Sequence, residues 1–210
     1  MTVRSKLLTF VSLCILASVG VVAAIIWSPP RPPLALASGT ILAPARPLAD
    51  FSLIDNRGRG FGAANLRGHW SLMFFGYTNC PDYCPTTLTT LTAMEKQLRA
   101  DKKVVPPQVI FVSVDAKRDT PAQLDKFVPN FDPEFIALTA ASQPAIEALA
   151  KKWGVAVNIE YAADGNNYVV DHSTVIFVID PAGNLAAILS GPFTVDALRS
   201  DFQRIVTGRA

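Results

Sequence analysis

Three kinds of hydrophobic pattern follow one another along this chain. The first, Leu7 to Trp27, is an apolar run without a charge, preceded by Arg4 and Lys6 and followed by Pro29-Pro30-Arg31. A helix of that length spans the hydrocarbon core of a bilayer. The second pattern is a set of short, nearly continuous apolar runs: Leu72-Met73-Phe74-Phe75, halted by Gly76, and Val109-Ile110-Phe111-Val112, running out at Ser113-Val114-Asp115. Runs of that kind predict strands buried on both faces, the habit of a parallel sheet. The third places Leu88, Leu91, Met94 and Leu98 three or four apart between Thr86 and Ala100, the stripe of an amphipathic helix lying on a sheet.

Local signals fill in the rest. Thr120-Pro121 predicts a helix running to about Pro129, with Thr120 as its cap and the proline at its first position. Gln143 to Trp153 predicts another, ended by Gly154, and Val195 to Ile205 a closing one. Phe51 to Ile54 and Phe135 to Leu138 read as short strands. Val155 to Glu160 alternates, Asp164-Gly165-Asn166-Asn167 turns, and Tyr168-Val169-Val170 returns, which predicts a hairpin. After Asp171-His172-Ser173, Thr174 to Asp180 pairs antiparallel with Leu185 to Leu189.

A βαβ start and a ββα end around one sheet predict an α/β fold. It is a thioredoxin-like sheet with flanking helices and a β-hairpin insertion, preceded by one N-terminal transmembrane helix. The expected divisions are residues 1–27 as membrane anchor, 28–46 as a Pro/Ala-rich linker without packed structure, and 47–210 as the folded domain.

Length and charge narrow the function. At 210 residues, less the anchor, the chain suits one domain with a full core. The net charge of +2 and the lack of a basic stripe with interleaved aromatics argue against nucleic acid as a partner. Basic residues ahead of the apolar run place the N-terminus inside and the domain outside. A cleaved signal peptide, with Ala35-Leu36-Ala37 as the small-residue site, is the alternative, but that site lies well beyond the run. Without a long Arg- and Ser-rich transit segment, the bacterial inner membrane, with the domain in the periplasm, is favoured over the mitochondrial inner membrane.

Of three cysteines, Cys14 falls inside the apolar run, leaving Cys80 and Cys84 as the thiols of the soluble part. They sit in the strand-to-helix turn Phe74-Phe75-Gly76-Tyr77-Thr78-Asn79-Cys80-Pro81-Asp82-Tyr83-Cys84-Pro85. Unpaired N–H groups at a helix start favour thiolate over thiol. The Cys-x-x-x-Cys spacing puts the sulfurs about one helical turn apart, able to chelate one ion from one side. A disulfide is also within reach of that spacing. A structural disulfide or two inert buried thiols are the plainer readings, although a disulfide scaffold would use more cysteines.

Three motifs in order, Cys80-Pro81-Asp82-Tyr83-Cys84-Pro85, Val114-Asp115 with Arg118-Asp119-Thr120-Pro121, and Val170-Asp171-His172-Ser173, resemble the Sco/SenC family of copper proteins. The likeness runs from about Arg46 to the C-terminus. It implies a membrane-anchored domain binding one copper ion, Cu(I) or Cu(II), through Cys80, Cys84 and His172. It further implies a metallochaperone rather than an enzyme, acting in assembly of the binuclear copper centre of cytochrome c oxidase. The expected partners are the copper-centre subunit of that oxidase or another copper chaperone.

Donor chemistry supports the carry-over. Soft thiolates suit Cu(I) or zinc, and imidazole suits zinc and copper. Iron–sulfur clusters want four thiolates, and structural zinc wants four ligands. His69 lies a strand length away from the cysteines, on the order of 17–20 Å, and is expected at the surface. A ligating histidine usually gives its other N–H to an acceptor, for which Asp115 and Asp171 are the candidates. The residues alone leave two further functions open. A thiol–disulfide oxidoreductase cycling a Cys80–Cys84 disulfide would reduce the cysteines of a partner's copper site. A thiol peroxidase would share the fold.

Overall fold

The computed structural model of the chain describes residues 10, 13–20, 35–161 and 168–208. The chain divides into two compact units, Met1–Pro33 and Leu34–Ala210. In the first, residues 13–20 are helical. Among the described residues no helix is long and apolar enough to cross a membrane; most of Leu7 to Trp27 lies outside them.

The second unit is built on eight strands, β1 (Gly39–Pro47), β2 (Ser52–Asp55), β3 (Gly60–Gly62), β4 (Ser71–Gly76), β5 (Gln108–Ser113), β6 (Ile136–Thr139), β9 (Val175–Ile179) and β10 (Asn184–Ser190), in one sheet ordered β1-β10-β9-β4-β5-β6-β2-β3. Its centre is β4 (Ser71–Gly76), β5 (Gln108–Ser113) and β6 (Ile136–Thr139), all parallel. The nearly continuous apolar runs serve both faces, because successive side chains on a strand point to opposite sides. Leu72, Phe74, Val109 and Phe111 face one core, while Met73, Phe75, Ile110 and Val112 face the other. On the first face lie α1 (Tyr83–Asp101), with Leu88, Leu91, Met94 and Leu98 buried, and α4 (Val195–Gly208), with Leu198, Phe202 and Ile205. Each fully buried side chain of that size contributes about 1.5–3 kcal/mol. The α3 helix (Gln143–Lys152) covers the second face with Ile146, Leu149 and Ala150.

Turn chemistry holds the connections where the sequence places them. Thr120 caps α2 (Pro121–Phe127), its hydroxyl accepting from the Gln123 N–H at 3.2 Å. Gly154, at φ +72°, takes the left-handed conformation that glycine adopts without strain and closes α3. Antiparallel strands β9 (Val175–Ile179) and β10 (Asn184–Ser190) extend the sheet beside β4, and β2 (Ser52–Asp55) with β3 (Gly60–Gly62) close its other edge. The expected hairpin is β7 (Val157–Tyr161) with β8 (Tyr168–His172), a separate two-stranded sheet; its turn residues lie outside the described residues.

One expectation is corrected. Residues 39–46 are not part of an unpacked linker: Gly39–Pro47 forms β1, pairing with β10 at the sheet edge. Prolines are tolerated there because an edge strand pairs on one side only. The register shifts between Ile41 and Arg46, around Pro44. Just before β1, the buried Asp201 carboxylate of α4 accepts the backbone N–H groups of Ala37 and Ser38, both at 2.8 Å, and the Ser38 hydroxyl at 2.7 Å.

Candidate metal centre

β4 ends at Gly76, and the chain turns through Tyr77 and Cys80 into α1, where Cys84 is the second residue. Gly76 is a steric requirement. A Cβ there would lie 2.8 Å from Cys84 Sγ and 2.5 Å from Phe111 Cε2. Cys84 is fully buried, Cys80 is partly exposed, and both are free thiols.

The helix start separates the two sulfurs electrostatically. The Cys84 N–H donates to Cys80 Sγ at 3.4 Å. A hydrogen bond from the Cys84 thiol, together with the N–H groups of Cys84, Asp82 and Tyr83, outweighs burial and lowers the Cys80 thiol to about 5. The same hydrogen bond, then burial, push Cys84 far the other way. At neutral pH the pair carries one thiolate, on the accessible sulfur, and one proton.

His172 ends β8, and its Nε2 lies 3.8 Å from Cys84 Sγ. Its Nδ1 lies 3.1 Å from the Ser173 carbonyl oxygen. A carbonyl only accepts, so Nδ1 is the donor of this contact, and Nε2 is the ring nitrogen turned toward the sulfur. Ser173 is itself fixed: its N–H donates to the Ala156 carbonyl at 3.0 Å, and its Oγ accepts from the Ala156 N–H at 2.9 Å. The Tyr77 ring meets the imidazole edge to face, with centroids 6.1 Å apart at 86°.

The neighbour of the imidazole Nδ1 is thus a backbone carbonyl, and Asp115 and Asp171 make other contacts. Asp171 is exposed and pairs in register with Asn158. Asp115, 1% exposed, accepts from the Tyr168 hydroxyl at 2.7 Å and from Arg118 Nε. His69 is exposed just ahead of β4, while the cysteines follow the strand's far end. Among the described residues, no three His, Cys, Asp or Glu side chains are already gathered as a metal cage. Cys80, Cys84 and His172 are neighbours, short of a closed shell.

Asp119 stands in the Arg118-Asp119-Thr120-Pro121 motif, but its role was not read from the sequence. It is fully buried behind the cysteine turn. Its carboxylate accepts from Thr78 N–H at 2.9 Å, Thr78 Oγ1 at 2.6 Å and Ser113 Oγ at 2.6 Å. Burial raises the Asp119 carboxyl above its ordinary value, against the pull of those bonds. The available signal was Ser113 itself, a hydroxyl closing an apolar strand that needs a buried partner.

A family model described as SCO1/SenC matches residues 41–207. The mitochondrial SCO2 homolog of Bos taurus is 37% identical over 134 residues, covering 64% of this chain and 50% of that protein. The SCO2-like protein RP587 of Rickettsia prowazekii is 40% identical over 134 residues, 63% of this chain and 64% of its own. The match thus spans half to under two thirds of these curated relatives' length. The crystal structure of Arabidopsis thaliana ScoI, solved with copper bound, superposes with a TM-score of 0.71 at 32% identity, over 76% of this chain and 98% of that one. With sequence, fold and cysteine turn in agreement, the chain belongs to the SCO1/SenC family.

Proposed function

We propose that the domain takes one copper ion, Cu(I) or Cu(II), between Cys80, Cys84 and His172, and passes it on in assembly of the binuclear copper centre of cytochrome c oxidase. The SCO1/SenC family is linked to copper and to assembly of that oxidase. The observation that carries the reading is Nε2 of His172 facing Cys84 Sγ at 3.8 Å, beside a Cys80 sulfur already favouring thiolate. Two soft thiolates and one imidazole suit copper. A three-donor shell at a partly exposed sulfur leaves room for a partner's ligand during transfer. That partner is the copper-centre subunit of the oxidase or another copper chaperone. The apolar run Leu7 to Trp27 tethers the domain outside the bacterial inner membrane.

The test is copper content and visible spectrum after anaerobic loading with Cu(I) and, separately, Cu(II). About one copper per chain is expected, as for a single three-donor site. Loss in Cys80→Ala, Cys84→Ala and His172→Ala variants, with a sulfur-to-copper charge-transfer band in the Cu(II) form, is the supporting result. Retention of copper by all three variants would sink it.

A second reading rests on the split between the sulfurs. Cys80, lowered to about 5 and accessible, is built to attack a disulfide, and the buried Cys84 to resolve the mixed disulfide. Two electrons and the Cys84 proton would pass from this pair to the partner's cystine, the second proton coming from solvent, as the Cys80–Cys84 disulfide forms. His172→Ala separates the readings, because it should weaken copper binding while leaving dithiol exchange largely intact.

A further inference from the structure

The two thiols and the imidazole sit on different elements of one compact unit. Cys80 and Cys84 sit on the β4–α1 turn of the main sheet, whereas His172 ends a hairpin that forms a sheet of its own. No backbone ladder joins the two sheets among the described residues, so the 3.8 Å between Cys84 Sγ and His172 Nε2 is set by the two-residue link from His172 to β9 and by side-chain contacts. Along β8 the alternation turns Tyr168, Val170 and His172 inward and leaves Val169 and Asp171 exposed.

The turn after β5 grips the inward face at Tyr168. The Arg118 guanidinium carbon lies 3.7 Å from the Tyr168 ring centroid, and Arg118 Nη1 donates to the Tyr168 carbonyl at 3.1 Å. Arg118 Nε donates to Asp115, whose other oxygen accepts from the Tyr168 hydroxyl at 2.7 Å. The same guanidinium lies 5.7 Å from the Tyr77 ring, which in turn meets the His172 ring edge to face. Arg118 thus reaches the imidazole by two routes, along β8 and through Tyr77. A planar, always charged guanidinium can stack and donate sideways at once, which an ammonium cannot.

We propose that Arg118 is a positioning residue for His172: stacked on Tyr168 and tied to Asp115, it clamps the hairpin so that the imidazole stays against the thiol pair. The inference rests on the copper reading above for its functional consequence, but the clamp itself is a property of the metal-free protein. Loosening it frees the third donor and leaves the two sulfurs where they are.

The test uses the full chain and Arg118→Leu, Arg118→Lys, Tyr168→Phe and His172→Ala variants. In Cu(I) competition titrations, Arg118→Leu should lose affinity by about 10-fold, the low end of the cost of removing a direct outer partner of a metal ligand, because Arg118 acts through Tyr168 and Tyr77. Arg118→Lys should rescue little of this, and Tyr168→Phe, which keeps the stack, should lose less. Nitrogen hyperfine coupling in the Cu(II) electron paramagnetic resonance spectrum should fade toward that of His172→Ala. The deciding measurement is the double variant Arg118→Leu/His172→Ala. It should bind copper no more weakly than His172→Ala alone, because the clamp acts only through that imidazole. Additive losses would overturn the proposal, as would wild-type affinity in Arg118→Leu. If the protein holds no copper at all, proton NMR of the metal-free chain still decides. The Tyr77–His172 ring contact should vanish in Arg118→Leu, and its persistence would refute the clamp independently of the copper reading.

Discussion

Gly76→Ala is the sharpest probe of how the fold makes the site. The added methyl would sit 2.5 Å from Phe111 Cε2 and 2.8 Å from Cys84 Sγ, both inside van der Waals contact. Neither neighbour can retreat freely. Phe111 is fully buried and packs on Phe74 at 5.2 Å and on Phe127 at 5.7 Å, and Cys84 is fully buried at a helix start. Overpacking of this kind costs about 1–3 kcal/mol. At about 2–4 °C per kcal/mol for a domain of this size, Tm should fall by about 2–12 °C. Because Cys84 Sγ is one of the two atoms that must yield, copper affinity should fall along with stability. Gly191→Ala is the matched control. Its Cβ meets the Tyr83 hydroxyl at 2.6 Å, the far end of a partly exposed side chain that can swing away. Differential scanning calorimetry with Cu(I) competition titration reads both quantities. If Gly76→Ala melts and binds copper like the parent protein, or no worse than Gly191→Ala, the steric account of the cysteine turn is wrong.

Three further outcomes follow from the same geometry. In the reduced, metal-free protein, iodoacetamide should alkylate one thiol; its rate, level at neutral pH, should drop as pH falls through about 5, where the Cys80 thiolate takes up its proton. A midpoint near the ordinary value of about 8.5 would contradict the helix-start argument. Asp201→Ala should uncouple β1, because the N–H groups of Ala37 and Ser38 lose their acceptor. Hydrogen exchange at residues 37–47 should then quicken selectively, and uniform quickening would count against it. At Asp55, burial is outweighed by hydrogen bonds from the Arg59 and Arg57 N–H groups and by the Arg59 guanidinium, so the folded carboxyl titrates below its ordinary 3.8. Its stabilisation is complete above that value and disappears as pH falls through the lower folded one. Urea midpoints of Asp55→Asn should therefore lose part of the parent's acid sensitivity below pH 3.8; parallel profiles would refute the linkage.

Much of the site was readable as local chemistry. The apolar run ending at Gly76 and the stripe from Leu88 to Leu98 put Cys80 and Cys84 in a strand-to-helix turn. Thr120-Pro121 marked a helix start, and Gly154 a helix end. Each is a signal contained within a few residues, where period, cap and turn preferences act directly on the backbone. The edge strand β1 was not readable in that way. A proline-bearing stretch becomes a strand only because β10 offers it a free edge and Asp201 holds its start.

What the sequence determined by itself was therefore the central strands and helices, the thiol pair and the family likeness. What the tertiary structure alone decided was who faces whom. Cys84 meets His172 across 88 positions, Tyr168 meets Asp115 across 53, and Thr78 meets Asp119 across 41. At such separations no residue's own preference names its partner. Asp119 and Arg118 carry the same side chains in a solvated loop as here. Only the packing of the β5 turn against the cysteine turn on one side and the hairpin on the other turns the first into a buried acceptor and the second into the grip on His172.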